Sequence, residues 1–549
     1  MVKAACANSL WWLASGPSSV AFASALNDPD AAQERVLRVF LEKNSGTAFG
    51  REHGLPGVRT FSEFARHVPI RNYDEMQSWI DRITRGEQQV LTHDPVERLV
   101  PTSGSTVARK LIPYTASMHR ELNRATGPWI FDLYRRHPRA LRGVSYWAIS
   151  PVSSDASQPA DESSVAIGFD DDAAYLGTLR KRLIGATMAV PPLLRHIVSL
   201  EDWRYVSALL LLRRDDLSLV SIWHPFFFTL LLNVIRDSWE QLLSDIFEGQ
   251  CAVMNCLPAL VAAAIRLRPD SRRANELRGL SPTTVSHLWP RLEIVSCWAD
   301  GHATGAAREL AASLGSAEIQ PKGLIATEGI ISIPFRGRHP LAIRSHYLEF
   351  EDKPGSVLRA SELREHQEYS VILTNGGGLC RYRLDDRVVV DGFVGRTPSI
   401  RFVGKSAQVS DRMGEKLSDG FVGAVLANLF EGAQNRPSFA MLAPDVDADG
   451  CRYTLYLSAD ASHEMCAKLE LLLSENPHYR YCRRLSQLRP ARLFRVSEDA
   501  AASYYQRLVG TGKRLGEIKP AGLSPLDGWA DHLRGYYVDQ RVPCTPDPK

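Results

Sequence analysis

Short apolar or β-branched runs alternate with longer amphipathic segments along this chain, and that alternation predicts an α/β architecture. Helical periodicity covers residues 31–44 and 74–85, and Gly86 follows the second segment as a stop signal. The predicted strands are short apolar runs at 142–149, 292–297, 323–325 and 369–374. We therefore expect sheets flanked by helices.

Residues 217–235 form the most apolar window of the chain. His224 and Pro225 interrupt it, so we interpret it as a buried strand followed by a helix with proline in its first turn, not as a membrane span. The first 26 residues have two interpretations, a weak signal peptide or an amphipathic first helix. The helix explains the two tryptophans of this segment better.

A chain of 549 residues is too long for one hydrophobic core, so we expect a large domain and a smaller one. Its 65 Lys and Arg against 62 Asp and Glu leave a formal net charge of +3, which indicates neither a nucleic-acid partner nor a membrane partner. Small molecules are the expected partners. Nine cysteines without a CxxC pair argue against a disulfide framework and a structural zinc site, and they favour a reducing, cytoplasmic setting. We interpret Cys251 and Cys256 as core thiols.

The segment PTSGSTVARKLIP, at 101–113, has the composition of a loop that wraps a polyphosphate. Backbone N–H groups and hydroxyls would donate hydrogen bonds, glycine would permit close approach, and Lys110 would neutralise charge. No glycine-lysine-serine/threonine triplet closes the loop, so it is not a Walker A motif. The alternative is a polar surface turn, because Ser, Thr and Gly clusters between apolar segments are usually only loops.

Two later segments add to the nucleotide hypothesis. In KGLIATEGIISIP, an apolar strand leads to Thr327 and Glu328, a hydroxyl and a carboxylate that suit a phosphate and its Mg²⁺. In LTNGGGLCRYRLDDRVVVDGF, a glycine-rich turn places Asp385 and Asp386 just before a β-branched strand, where a carboxylate can accept both hydroxyls of a ribose. The alternative is that these aspartates cap turns or pair with the neighbouring arginines. Residues 399–419 pass from an apolar strand to a polar turn and a helix, as an interdomain hinge would.

The order of these motifs identifies a family resemblance. SGST with a downstream lysine, then ATEG, RYRLDD with VVVDGF, FVGK and GEKL together resemble the GH3 family of acyl-acid amido synthetases, within the adenylate-forming superfamily. Supporting stretches before and after them include FSEFARHVPIRNYDEM, LWPRLEIVSCWADGHA, HYLEFED and GKRLGEIKP, so the resemblance covers nearly the whole chain. It implies a large N-terminal α/β adenylation domain at 1–409 and a smaller, mobile α+β domain at 410–549. The latter would contain helices at 414–430 and 462–475 and a hairpin through 452–459.

The resemblance also implies an ATP site with Mg²⁺. Four residues would cradle the phosphates, with Lys110 nearby: Ser103, Gly104, Ser105 and Thr106. The other implied ATP-binding residues are Thr327 against the phosphate or acyl-adenylate, Asp386 on the ribose, Lys405 on the ribose or phosphate, and Asp300 with Gly301 along the adenine edge. Glu328 would hold Mg²⁺, Lys416 would lie in the hinge, and Lys519 would approach the α-phosphate during adenylation.

This sequence departs from the family pattern at three residues of these segments. Asp385 stands where the family usually has glycine, Cys380 where it has tyrosine, and Lys405 where it often has arginine. A lysine keeps the charge but not the planar fork of a guanidinium. The departures put efficiency in doubt more than the class of reaction, because Glu328 and Lys519 are retained.

The implied reaction is adenylation of a small carboxylic acid by ATP, with release of pyrophosphate, followed by transfer of the acyl group to the amine of an amino acid. Four residues are candidates for the acyl pocket, although aromatic and apolar side chains at such spacings usually pack in the core: Met118, Leu122, Tyr146 and Trp223. The sequence leaves the acid, the amine and the oligomeric state open. Two alternatives are transfer to coenzyme A or a carrier thiol, and a non-catalytic binding protein on the same scaffold. Lys519 argues against the second, because a pure binder has little use for it.

Overall fold

The computed structural model describes residues 2–102, 110–148, 165, 185–353, 355–405, 409–410, 412–431, 437–447, 450–497, 500–510, 518 and 522–538. The helices are α1 Val2–Ala25, α2 Pro29–Asn44, α3 Ala48–Glu52, α4 Phe61–His67, α5 Tyr73–Thr84, α6 Ala116–Arg136, α7 Leu200–Leu212, α8 Pro225–Asp237, α9 Trp239–Glu248, α10 Ala259–Ala264, α11 Ser271–Arg278, α12 Val285–Leu288, α13 Thr304–Leu314, α14 Asp419–Leu429, α15 His463–Leu473, α16 Pro477–Arg484 and α17 Ala500–Gly510. Among these described helices, none is both long and apolar enough to cross a membrane.

The strands are β1 Arg98–Pro101, β2 Leu111–Tyr114, β3 Val144–Trp147, β4 Leu217–Ser221, β5 Ile294–Cys297, β6 Glu318–Pro321, β7 Ile325–Ala326, β8 Gly329–Ile330, β9 Tyr347–Glu351, β10 Val357–Arg359, β11 Glu368–Thr374, β12 Tyr382–Val394, β13 Thr397–Lys405, β14 Val409–Ser410, β15 Leu417–Ser418, β16 Ala440–Asp447, β17 Gly450–Leu457, β18 Arg492–Val496 and β19 Gly535–Tyr537. The chain divides into two compact units. The larger takes in the described residues within 2–300 and 310–403, and the smaller takes in those within 301–309, 404–510 and 518–538.

Two sheets organise the larger unit. One is parallel, in the order β3-β4-β5-β6, and the other has the order β10-β9-β11-β12-β13 with antiparallel β10–β9, β9–β11 and β11–β12 pairs. All five residues of β4 are buried, as expected for a parallel strand with both faces covered. The smaller unit has a β16-β17-β18-β19 sheet with α14 and α15, and its own apolar core includes Leu442, Leu455 and Leu469. The α/β fold class is confirmed, while the domain division after Val409 stays a prediction.

Most of the predicted elements are present, with local capping that explains their ends. The helix predicted at 74–85 is α5, which begins at a capping box in which the Asn72 side chain accepts from Glu75 N and the Glu75 side chain accepts from Asn72 N. The apolar window is β4 followed by α8, with His224 as N-cap and Pro225 in the first turn. The elements predicted for the smaller unit are also present, as α14, the β16–β17 hairpin and α15.

Three sequence predictions were wrong in part. The strand expected at 323–325 overlaps β7 at one residue, and the preceding strand β6 was missed because its side chains are partly exposed and mixed in polarity. Cys251 is buried but Cys256 is exposed. The first segment is a helix, α1, but it is not amphipathic, because Leu10 and Leu13 are exposed while Asn8 is buried and donates to the Gly143 carbonyl at 3.0 Å.

Candidate active site

The ends of the candidate phosphate loop are held in a hairpin. Pro101 of β1 pairs with Leu111 of β2, and Thr102 N donates to Lys110 O at 2.8 Å. Leu111 N also donates to the hydroxyl of Tyr73, at 2.7 Å. The four predicted cradle residues lie outside the described residues: Ser103, Gly104, Ser105 and Thr106. Their placement in the site therefore stays a prediction.

A tight turn between β7 and β8 carries Thr327 and Glu328. The two strands pair so that Ala326 faces Gly329, which leaves these two residues at the tip. Two side chains hold the main chain of the turn: the Tyr114 hydroxyl donates to Thr327 O at 2.8 Å, and the Asn375 amide donates to Glu328 O at 2.7 Å. Tyr114 is the last residue of β2, so the turn lies against the hairpin that holds the candidate phosphate loop.

The glycine-rich turn between β11 and β12 packs closely against β2, against Leu91 and against the start of α6. A Cβ on Gly377 would lie 2.3 Å from Pro113 O, and one on Gly378 would lie 2.6 Å from the Cβ of Leu91. Glu121 of α6 is part of the same contact, because its Oε2 accepts from Gly376 N at 2.8 Å. Glycine is required here because main chain meets main chain without room for a side chain.

Asp385 and Asp386 lie inside β12, and not before it as the sequence suggested. Between the pairs Ser370–Arg387 and Ile372–Arg383, β12 uses more residues than β11, so the ladder is bulged. Asp385 sits in this bulge with a left-handed φ of +62°, and Asp386 is only 4% exposed. Left-handed backbone explains why the family's glycine fits this position and why aspartate tolerates it.

The charges of the site converge on one buried phenol. Burial raises the pKa of Tyr382, and the nearby carboxylates of Glu328, Asp385 and Asp386 raise that pKa further. Burial also raises the pKa of Tyr73, and Glu328 is among the carboxylates that contribute. The structure thus brings Glu328 and Asp386 into one acidic neighbourhood, although they are 58 positions apart in the chain, counted from their residue numbers.

Asp300, Gly301 and Lys405 are the other predicted nucleotide-binding residues outside the candidate phosphate loop. Asp300 Oδ2 accepts from Phe402 N of β13 at 3.4 Å, and burial raises the pKa of Asp300 while His339 lowers it. Gly301 has a left-handed φ of +56°. Lys405 ends β13, and nothing is described of its side chain.

Of the two predicted lysines of the C-terminal region, Lys416 and Lys519, only the first lies among the described residues. Lys416 is exposed and has a left-handed φ of +46°, which is uncommon for a residue with a long side chain. Lys519 lies outside the described residues. Their catalytic roles stay predictions.

The acyl-pocket candidates fall in two places. Met118 and Leu122 are 0% and 3% exposed and belong to the main apolar core of the larger unit. Tyr146 lies near the carboxyl end of β3 and stacks on Phe227, with ring centroids 6.4 Å apart. Trp223 follows the carboxyl end of β4 and lies 5.5 Å from the ring of Trp298. The carboxyl edge of a parallel sheet is where α/β proteins usually bind ligands.

Sequence reasoning missed a buried lysine at this edge. Lys322 directly follows β6, is 4% exposed, and donates from Nζ to Ser221 Oγ at 2.7 Å. Its ammonium lies over three indole rings, with Nζ 5.3, 5.8 and 5.0 Å from the ring centroids of Trp129, Trp147 and Trp223. The sequence carried no usable signal, because the preceding strand β6 was itself missed and only the fold brings the tryptophans around Lys322.

Comparison with known proteins identifies the family. The model of the GH3 family N-terminal domain matches residues 20–319, that of the central domain matches 340–405, and that of the C-terminal domain matches 424–525. Jasmonoyl–L-amino acid synthetase JAR6 of Nicotiana attenuata is 25% identical over 417 residues, 70% of each chain. Indole-3-acetic acid-amido synthetase GH3.8 of Oryza sativa subsp. indica is 25% identical over 412 residues, which cover 68% of this chain and 66% of that protein. The solved structure of AtGH3.15 acyl acid amido synthetase in complex with 2,4-DB matches with a TM-score of 0.82 at 17% identity, covering 96% of this chain and 98% of that one. Because the three domain models together match most of its length, the chain belongs to the GH3 family.

Proposed function

We propose that this chain is an ATP-dependent acyl-acid amido synthetase, which adenylates a small carboxylic acid and transfers the acyl group to the amine of an amino acid. The observation that carries the proposal is the turn of Thr327 and Glu328, whose carbonyls are held by Tyr114 and Asn375. The main chain of Glu328, a residue that is 9% exposed, is thereby held next to the last residue of the hairpin of the candidate phosphate loop. The names of the matched relatives, which are amido synthetases for jasmonate and indole-3-acetate, support the same class of reaction.

The first half-reaction forms an acyl-adenylate. An oxygen of the substrate carboxylate attacks the α-phosphorus of ATP, and the bond to the pyrophosphate oxygen breaks. The protein's contribution is positioning and positive charge. In the proposal, Ser103, Gly104, Ser105 and Thr106 hold the phosphates, Asp386 accepts the ribose hydroxyls, and Lys519 stabilises charge at the α-phosphate.

Mg²⁺ suits the residues of the turn. This ion is usually held by one or two carboxylates together with substrate phosphates, and Glu328 offers one carboxylate at a fixed main-chain position. Mg²⁺ would neutralise phosphate charge. Glu328 would orient the ion, and Thr327 would contact the phosphate.

The second half-reaction breaks the bond between the acyl carbon and the AMP oxygen. The neutral amine of an amino acid attacks that carbon, loses a proton and forms the amide, with AMP as leaving group. We place the acid at the carboxyl edge of the parallel sheet, where the half-buried Trp223 offers aromatic surface for an aromatic or alicyclic acid and the buried Tyr146 lies on the neighbouring strand. The nine cysteines, among which no CxxC pair occurs, support a reducing, cytoplasmic location for the protein.

The test is pyrophosphate release by the purified protein with ATP, Mg²⁺ and a panel of carboxylic acids, each with and without amino acids and separately with coenzyme A. We expect release that depends on one acid, and an amide product in mass spectra. A thioester product would support the coenzyme A alternative instead. No release across the panel from folded protein that binds ATP would contradict the proposal and favour a binding protein.

A matched pair of glutamate variants tests the carrying observation. Glu328→Gln should lower Mg²⁺-dependent pyrophosphate release by about 10²-fold or more, because the amide cannot replace a charged ligand of the metal. Glu365→Gln, at an exposed glutamate, should leave release unchanged. Normal turnover by Glu328→Gln would remove Glu328 from the site.

A further inference from the structure

A cavity of about 150 Å³ lies between α2 and α6, away from the apolar face on which Met118 and Leu122 lie. Basic side chains dominate its polar lining: Arg35 and Lys43 from α2, Arg124 from α6, and Arg344. Glu121 and Gly376 also line the cavity. The sequence analysis assigned no role to this cavity, and the proposed reaction does not use it.

Two of the charged groups in the wall are already engaged. Lys43 Nζ lies 2.6 Å from Asp94 Oδ1. The Glu121 carboxylate accepts from Gly376 N at 2.8 Å and lies 3.0 Å from His346 Nδ1. Asp94 thus neutralises Lys43, and the contacts of Glu121 are with Gly376 and His346 and not with the guanidinium groups of the cavity.

Arg35, Arg124 and Arg344 line one cavity, and the charges of the first two act on the third. Burial lowers the pKa of Arg344, and the positive charges of Arg124 and Arg35 lower that pKa further. Within the described part of the chain, neither a hydrogen bond nor an ion pair is formed by the guanidinium groups of Arg35, Arg124 and Arg344. Like charges gathered around one concavity repel one another, and a bound anion would relieve that repulsion.

The chemistry of the wall selects one class of anion. Guanidinium groups bind phosphate oxygens through paired N–H donors, and three of them offer more donors and charge than one carboxylate can accept. We propose that this cavity binds a small phosphate-type oxyanion, either inorganic phosphate, pyrophosphate or the phosphate group of a monoester, through Arg35, Arg124 and Arg344. Binding of this anion does not depend on the proposed ligase reaction.

The cavity is connected to the candidate active site through the glycine-rich turn. Gly376 lines the cavity, and its carbonyl accepts from Thr115 Oγ1 at 2.8 Å. Its neighbour Asn375 donates to Glu328 O at 2.7 Å. An anion in the cavity would thus lie against Gly376, the sequence neighbour of the residue that holds the Glu328 turn.

The test is isothermal titration calorimetry of the full-length protein without ATP, using inorganic phosphate, pyrophosphate, glycerol 3-phosphate and, as a carboxylate control, acetate. The three phosphate arms identify which source of the anion binds best. We expect saturable binding in at least one phosphate arm, and a dissociation constant about tenfold higher or more in Arg124→Gln/Arg344→Gln, which loses two charge-assisted contacts. Arg139→Gln, at an exposed arginine outside the cavity, should bind like the wild type.

Three results would overturn the proposal. They are an absence of saturable phosphate binding, acetate binding as tight as that of phosphate, and phosphate binding that is unchanged in the double variant, which would place the anion elsewhere. Circular dichroism checks that the double variant is folded. If the double variant is not folded, Arg35→Gln provides the same comparison with one exposed charge removed. Phosphate should then raise the melting temperature of the wild type more than that of Arg35→Gln.

Discussion

Asn375 combines two hydrogen-bonding roles that only an amide can fill. Its Oδ1 accepts from Gly377 N at 2.9 Å and from Leu379 N at 3.2 Å, while its Nδ2 donates to Glu328 O at 2.7 Å. The side chain is 1% exposed, so no water competes for these contacts. Asn375 is therefore a positioning residue for the turn that carries Glu328.

Asn375→Asp keeps both acceptor contacts and removes the donor. The new oxygen would face the Glu328 carbonyl, so we expect the free energy of unfolding to fall by about 1–3 kcal/mol. We also expect KM for Mg-ATP to rise more than kcat falls, because the turn is displaced while the reacting groups remain. Steady-state kinetics at several Mg²⁺ concentrations and urea unfolding measure the two effects.

Asn72→Asp is the matched control, because Asn72 caps α5 and an aspartate serves equally well at a helix N-terminus. An unchanged KM for Mg-ATP in Asn375→Asp, with reduced stability alone, would show that Asn375 supports the fold and not the site.

At the scale of elements, the glycine-rich turn brings β11 and β12 into contact with the end of β2. The closest approach is at Gly377, where a Cβ would lie 2.3 Å from Pro113 O and 3.2 Å from Met118 Sδ. Gly377→Ala must push main chain away from main chain, and we expect the free energy of unfolding to fall by about 1–3 kcal/mol. Urea unfolding followed by circular dichroism measures it.

The same substitution at Gly279 is the control for this prediction. Gly279 follows α11 with a φ of −83°, and a Cβ added there would meet no other atom within 4 Å. Alanine at this position should therefore be neutral or stabilise the fold by about 0.4–1 kcal/mol. Equal stability of Gly377→Ala and the wild type would mean that the β11–β12 turn can move away from β2 without cost.

The elements also show which features a sequence can reveal. The β4 and α8 pair was predictable because His224 and Pro225 mark the change from strand to helix within one apolar run. The bulge at Asp385 was not, because the pairing of β12 with β11 decides it and neither strand signals it alone. The roles of Tyr114, Asn375 and Lys322 depend on partners that lie 47 or more positions away, so only the fold reveals them.

At the scale of the whole molecule, the proposed function divides into two half-reactions that need different groups. In the proposed function Lys519 acts at the α-phosphate, and a positive charge at that position helps only while the pentacoordinate phosphorus forms. We therefore expect Lys519→Ala to lower acid-dependent exchange of pyrophosphate into ATP by about 10²–10³-fold. Amide formation from presynthesised acyl-AMP should change far less, because phosphorus chemistry is already complete.

Both rates are measured on one preparation, by isotope exchange for the first half-reaction and by mass spectrometry of the amide for the second. Lys353→Ala removes a lysine whose side chain is 75% exposed and should leave both rates unchanged. Equal losses in the two half-reactions of Lys519→Ala would contradict the assignment, since a general loss of fold or of ligand binding affects both. A selective loss of exchange would instead locate the function of Lys519 in adenylation and support the order of steps proposed for this enzyme.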